Sequence, residues 1–392
     1  MKQDFLKYQG QTTPHPLAIE ISKAKGSYIY DSNGKALLDF VAGVSANSLG
    51  HNHPKVNQAI KDQLEAYTHV MVYGEFIQKP QLELCKALAA TLPPSLSSVY
   101  LVNSGTEATE GALKLAKRYT GRAEIIGAKN AYHGNTQGAM SVCGAEEQNQ
   151  VFRPLIPGTR FIQFNNEQDL KKITTKTAAV ILETIQGGAG FIEPQNEYLV
   201  KVKQRCQEVG ALLILDEIQT GIGRTGKFWG FENYHVVPDI FITGKGLGGG
   251  MPVGAFVSSY EIMNTLKENP KLGHITTFGG HPVIAAASLA TVNEVTSSNL
   301  MQEALEKEQI IRNYFKDHPK VKEIRGKGLM LALIVDTPEI ASRIILNCLE
   351  KGLILFWLLF EGRAIRITPP LTLSNKELKI GCQMILDELD AF

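Results

Sequence analysis

The segment DIFITGKGLGGGMPVGAF, residues 239–256, sets one lysine, Lys245, between an apolar run and the glycines Gly248 to Gly250. Several chemistries compete for it. A phosphate-clamping lysine needs the order G-x-x-x-x-G-K-[ST], but Asp239 stands where the first glycine belongs and Gly246 where the hydroxyl residue belongs. Gly244, Gly246 and Gly249 have the G-x-G-x-x-G spacing of a dinucleotide site, yet GMPVGAF continues as a strand, not as the helix whose N-terminus would hold a pyrophosphate. An exposed turn lysine and a nucleophilic amine remain. An amine at the C-terminal end of a buried strand faces the crevice in which open α/β sheets bind ligands, and there it can lose its proton and form an imine.

Other segments offer the rest of an imine-forming site. The run ALLIL delivers Asp216, Glu217 and Gln219 at its end, in LDEIQTGIGRTG. An aspartate after five apolar residues is costly to ionise without a cation beside it, and a protonated pyridine nitrogen is such a cation. Capping a loop or pairing with Arg224 is the alternative. VNSGTEATEG runs from strand through turn into helix, so the amides of Gly105 and Thr106 and the hydroxyls of Ser104 and Thr106 face an anion at a helix N-terminus. Plain helix capping would use the same residues. NAYHGNT supplies Tyr132, an aromatic that fits either a stacking platform or a core, and His133. Ser104 lacks the first glycine of G-x-S-x-G and any ordered acid and histidine, which argues against a hydrolase. His51 and His53 in HNHPKV have no obvious acidic companions, so no metal is assigned.

These groups must be held by a scaffold, and the chain has the length for one. Its 392 residues, 44% hydrophobic, suffice for two domains with sizeable cores. From residue 54 helix-like and strand-like segments alternate. HPKVNQAIKDQLEAY, KPQLELCKALAATL, TEATEGALKLAKRYTG and NEYLVKVKQRCQEVG have helical spacing, with Thr106 as a candidate cap and Gly121 as a stop. SSVYLVN, TAAVILE, ALLILDEI, PDIFITG and PVGAFVS read as short buried strands. Such alternation implies an α/β fold with helices on both faces of a mostly parallel sheet. A long helical region after residue 281, then IRGKGLMLALIV, PEIASRIILNCLEKG, LILFWLLF, AIRITPP and a last helix imply a smaller α+β domain.

Charge and cysteine usage narrow the setting. Forty Lys and Arg against 39 Asp and Glu leave a formal charge of +1, which favours neither a nucleic-acid nor an anionic-membrane partner. Five scattered cysteines contain no C-x-x-C pair and fit a reducing compartment. No apolar leader is seen at the start, and LILFWLLF at 353–360 is too short to span a bilayer, so a cytoplasmic location is expected.

LVNSGTEATEGALKLAKRY, AYHGNT, LLILDEIQTGIGRTGKFWGFENYHVVPDIFITGKGLGGGMPVGAF, HITTFGGHP and IRGKGLM occur in the order and spacing of the class III pyridoxal phosphate aminotransferases, which the chain resembles over nearly its whole length. The resemblance implies a fold type I transferase: a large domain over 54–280 with a mostly parallel seven-stranded sheet covered by helices, a small C-terminal domain over 281–392, and an N-terminal segment, 1–53, against the latter. It implies pyridoxal 5'-phosphate as cofactor, Lys245 as its Schiff-base lysine, Asp216 as partner of the pyridine nitrogen, and Gln219 as donor to the ring's phenolic oxygen. By the same resemblance Ser104, Gly105 and Thr106 cradle the phosphate, Tyr132 stacks on the ring with His133 nearby, and Thr277 reaches the phosphate in the neighbouring subunit of a homodimer. Thr276 would lie beside the substrate.

The implied reaction is ping-pong transfer of an amino group from an amine or amino acid to a 2-oxo acid. An aminomutase, racemase or decarboxylase is the rival on the same fold. Arg366, in AIRITPP, resembles the arginine that takes the α-carboxylate of glutamate or 2-oxoglutarate. Two positions depart. Relatives acting on acetylornithine, ornithine or 4-aminobutyrate have arginine at Asn135 and, in the motif QGE, glutamate at Gly188. The expected donor is an amine or amino acid, ornithine- or acetylornithine-like or another ω-amino compound, and the two departures favour an ω-amine, a diamine-like compound or an amino acid whose distal end lacks the usual carboxylate.

Overall fold

The computed structural model describes residues 1–391. An antiparallel meander of Ile21–Lys25 (β1), Tyr28–Asp31 (β2) and Ala36–Asp39 (β3) precedes the central sheet. That sheet contains Ser98–Val102 (β4), Glu124–Ala128 (β5), Thr159–Ile162 (β6), Thr177–Glu183 (β7), Leu212–Asp216 (β8), Ile240–Gly244 (β9) and Gly254–Ser258 (β10). Its order is β4-β10-β9-β8-β7-β5-β6. Only β10 runs against its neighbours, so the other strands all end on one rim. Every residue of β7, β8, β9 and β10 is buried. Helices cover both faces, which is why TAAVILE and ALLIL are continuous apolar runs instead of alternating ones.

The covering helices obey their local signals. Gly105–Thr120 and Tyr198–Val209 end on the left-handed Gly121 and Gly210. The cap of the first is Ser104, not Thr106. Ser104 has an extended backbone and its Oγ accepts the Glu107 amide at 3.3 Å, whereas Thr106 already lies inside the first turn, where a residue cannot cap.

The second half adds the strands Glu323–Lys327 (β11), Met330–Ile334 (β12), Leu353–Ile354 (β13), Phe356–Trp357 (β14) and Ala364–Ile367 (β15). Four of these, in the order β11-β12-β15-β14, are antiparallel. The fifth, β13, pairs in parallel with β3, so the N-terminal meander is completed by a strand from the far end of the chain. LILFWLLF is thereby divided between two sheets. Between the halves, the helix Pro282–Ser297 packs on Pro54–Ala66 and Lys79–Ala90. Among the described residues no helix is long and apolar enough to cross a membrane. His51 is engaged structurally: its Nε2 lies 2.7 Å from Asp39 Oδ2, while Asp39 Oδ1 accepts the amides of Val41 and Ala42.

Candidate active site

Strand direction brings the candidate residues together. β4 leads into Gly105 and Thr106, β5 into Tyr132 to Asn135, β8 ends on Asp216, and Lys245 directly follows β9. Register sets their level: Glu183, the last residue of β7, is opposite Asp216, and Asp216 is opposite Ile242 of β9. A cavity of about 500 Å³ opens over this rim. Such a volume suits a small-molecule site. Arg366 enters from β15, and Val44, Phe356, Trp357 and Leu359 form an outer wall.

Of the residues singled out by sequence, Gly105, Thr106, Tyr132, His133, Asn135, Asp216, Gln219, Lys245 and Arg366 line this cavity. Ser104, Thr276 and Thr277 do not line it. Thr276 Oγ1 accepts from the Gly279 amide at 3.1 Å and Asn103 Nδ2 at 3.4 Å, and Thr277 is exposed. The helix-terminal hydroxyls are also committed elsewhere. Ser104 Oγ serves Glu107, and Thr106 Oγ1 lies 2.9 Å from Thr136 Oγ1. An anion there meets amides instead, because Gly105 and Thr106 precede the first intrahelical bond, from Ala108 N to Ser104 O. Gly134 lets the neighbouring loop approach: its φ is +126°, and a Cβ would stand 2.3 Å from Thr106 Oγ1.

Asp216 binds His133, not Arg224. His133 Nδ1 lies 2.8 Å from Asp216 Oδ2, and the Ile218 amide donates to Oδ1 at 2.9 Å. Arg224 is fully buried, and its guanidinium donates to the carbonyls of Leu329 and Pro369 and to Ser48 Oγ. Burial disfavours a charged His133, but the hydrogen bond and charge of Asp216 outweigh it and raise its pKa. Two buried carboxyls lie close by, and they face different ways. Glu183 accepts the Gly187 amide at 2.9 Å and the Tyr132 amide at 3.2 Å, and burial pushes its pKa up to about 7. Glu217 turns from the cavity to accept the amides of Gly230 and Phe231 at 2.6 and 2.9 Å.

Lys245 gives up its proton more readily than an ordinary lysine. Burial, then the positive charge of Arg366, lowers its pKa to about 8 against the opposing pull of Asp216 and Glu183. Its φ of +41° is a strained, left-handed value for a residue with a Cβ, a common finding where function fixes the backbone. Arg366 is 6% exposed, and its Nε and Nη1 have no partner. Burial lowers its pKa to about 10, which leaves it cationic at neutral pH. A buried guanidinium with unused donors is a seat for a carboxylate.

Sequence reading missed two parts of the site. Glu183 ends TAAVILE just as Asp216 ends ALLILD, and that parallel was a readable signal. The outer wall of Phe356, Trp357 and Leu359 gave none, because an apolar run says nothing of which cavity it will face.

The sequence profile described as Aminotransferase class-III matches residues 9–389. An acetylornithine aminotransferase of Caldanaerobacter subterraneus is 41% identical over 383 residues, 95% of this chain and 94% of that protein. A LysW-aminoadipate semialdehyde/glutamate semialdehyde transaminase of Sulfolobus acidocaldarius is 38% identical over 341 residues, 86% of each chain. The ornithine aminotransferase structure from Toxoplasma gondii superimposes with a TM-score of 0.91 at 30% identity, covering 100% of this chain and 95% of that one. The chain thus belongs to the class III aminotransferases and is a transaminase that depends on pyridoxal 5'-phosphate.

Proposed function

We propose that Lys245 is the lysine that holds the cofactor covalently, and that the enzyme moves an amino group from an ω-amino compound to a 2-oxo acid such as 2-oxoglutarate. The cavity fits the cofactor on three counts. The amides of Gly105 and Thr106 are available to its phosphate, the Asp216–His133 pair to its ring nitrogen, and a lysine of lowered pKa to its aldehyde. When bound, pyridoxal phosphate supplies an electron sink for the bond broken at the amino-bearing carbon.

The residues around it divide the remaining work. Asp216, held by His133 and the Ile218 amide, would pair with the cofactor's ring nitrogen and favour its protonated form. Tyr132 and Gln219, both in the cavity lining, would hold the cofactor by ring stacking and by an amide hydrogen bond to its phenolic oxygen. The Lys245 amine would hold the cofactor's aldehyde and, when free, would take up a proton at Nζ from the donor carbon, a task for which a pKa near 8 suits it. Arg366 seats the carboxylate of the oxo acid. Position 188 is glycine, so no acidic side chain from it covers Arg366 in either half-reaction. We further propose that two copies assemble, with Thr277 of each directed to the other's phosphate site.

The observation that carries this reading is the depressed amine of Lys245 on the rim it shares with the Asp216–His133 pair. Borohydride reduction of the holoenzyme followed by peptide mapping is expected to fix the cofactor on Lys245. Lys245→Ala is expected to lower transamination of L-glutamate by about 10⁴-fold or more, while cofactor still binds through its phosphate. Cofactor fixed on another lysine, or full turnover in the variant, would refute it.

A further inference from the structure

The donor's distal end was left open above, and the charges in the cavity narrow it. Five acidic or basic side chains line the space, His133, Glu183, Asp216, Lys245 and Arg366, and all but Arg366 are engaged. Asp216 holds His133 and the Ile218 amide, Glu183 accepts two backbone amides, and Lys245 carries the cofactor on the reading given above. Arg366 has two unused donors, Nε and Nη1, and the other unpartnered nitrogen among these groups is His133 Nε2. Neither a distal ammonium nor a second carboxylate finds a counter-ion on these walls.

The outer wall is apolar, and its geometry keeps it so. The Trp357 indole N–H donates to Ser342 Oγ at 3.0 Å, and Trp357 lines the cavity. Phe356 meets Trp357 edge to face, with ring centroids 5.3 Å apart. Gly188 fixes this segment. The Phe360 amide donates to the Gly188 carbonyl at 2.9 Å, and a Cβ on Gly188 would stand 2.8 Å from the Phe360 ring and 3.6 Å from Leu359 Cβ. A side chain at 188 would crowd the Phe360 ring while only touching Leu359, so the close approach of the 188 and 360 segments relies on glycine. Asn135, the polar side chain at the mouth, is neutral and exposed.

We propose that the amino donor carries an uncharged apolar tail, aliphatic or aromatic, that packs on Val44, Phe356, Trp357 and Leu359. The inference rests on the transaminase reading above. Burying methylene or aromatic surface on this wall favours binding, whereas a charged tail loses its hydration there with nothing in exchange.

The test compares hexylamine, 6-aminohexanoate and 1,5-diaminopentane, primary amines of similar length whose far ends are apolar, anionic and cationic. Each is given to the holoenzyme with 2-oxoglutarate, and L-glutamate alone is given in a parallel spectral titration of the cofactor. Hexylamine is expected to exceed 1,5-diaminopentane in kcat/KM by about ten-fold or more, with 6-aminohexanoate as the reference for a tail that Arg366 can seat. Leu359→Arg, at a half-exposed position that tolerates charge, is expected to shift the ratio of 6-aminohexanoate to hexylamine upward by about ten-fold. Equal or better use of 1,5-diaminopentane by the natural enzyme overturns the apolar tail while leaving the transaminase reading intact, provided glutamate converts the cofactor. Failure of glutamate to convert it refutes the transaminase reading and this inference with it. An unchanged ratio in Leu359→Arg, folded by thermal melt, also overturns the proposal.

Discussion

Lys245 must lose a proton before it can react, and its surroundings decide at what pH it does so. An ordinary lysine amine titrates near 10.5, but burial and Arg366 lower this one to about 8. The unprotonated fraction therefore grows as pH rises through about 8 and is nearly complete well below 10.5. In the cofactor-free chain, covalent capture of pyridoxal phosphate is expected to quicken up to that range and level off above it, as read by borohydride trapping and mass spectrometry across pH. A midpoint near 10.5 would mean a solvated amine. The stability sign follows: the folded pKa lies below the unfolded one, so the protonated amine burdens the fold below about pH 8, and the burden lifts as pH rises toward 10.5. Arg366 shows the converse logic. It stays charged in spite of burial, so its unused donors hold a standing attraction for a carboxylate.

At the scale of the element, the helix Gly105–Thr120 illustrates how one terminus serves two purposes. The Ser104 hydroxyl closes the helix by accepting from Glu107, which leaves the amides of Gly105 and Thr106 facing the cavity. Ser104→Ala is expected to cost about 1 kcal/mol of stability in urea denaturation. Its effect on cofactor affinity should be small, since the hydroxyl is turned from the cavity, and a large loss of affinity with unchanged stability would count against this division. Strand register does the matching work on the sheet. Because Glu183, Asp216 and Ile242 lie side by side, the groups at the ends of β7, β8 and β9 share one rim. A slip of one residue in β8 would turn Asp216 to the opposite face.

For the molecule as a whole, the exposed apolar surface points to assembly. Ile77 is 92% exposed, and Phe76 and Phe278 are each 54% exposed. The two segments are neighbours: the Tyr73 amide donates to the Thr276 carbonyl, and the His69 and Phe278 rings lie 4.9 Å apart. Beside them Gln78 is buried with both side-chain polar atoms unpartnered. An apolar patch of this kind on a chain with a nearly neutral net charge favours association. Sedimentation of the natural protein is expected to show a dimer, and Ile77→Asp to raise the monomer fraction. A monomer at micromolar concentration in the natural protein would leave Thr277 without the role proposed for it.

The sequence by itself determined the chemistry of the rim. Buried strands need continuous apolar runs and helices need caps and stops, so ALLIL before Asp216, IFITG before Lys245 and the turn SGT before a helix were legible as local patterns. Only the tertiary structure decided what those groups touch. That Asp216 takes His133 instead of Arg224, that Ser104 and not Thr106 caps its helix, that Glu183 joins the rim, and that Phe356 and Trp357 wall the cavity while Leu353 leaves for the N-terminal meander all depend on contacts between distant segments. Periodicity records that a residue is buried or turned outward; the partner it meets is set by strand order, register and packing.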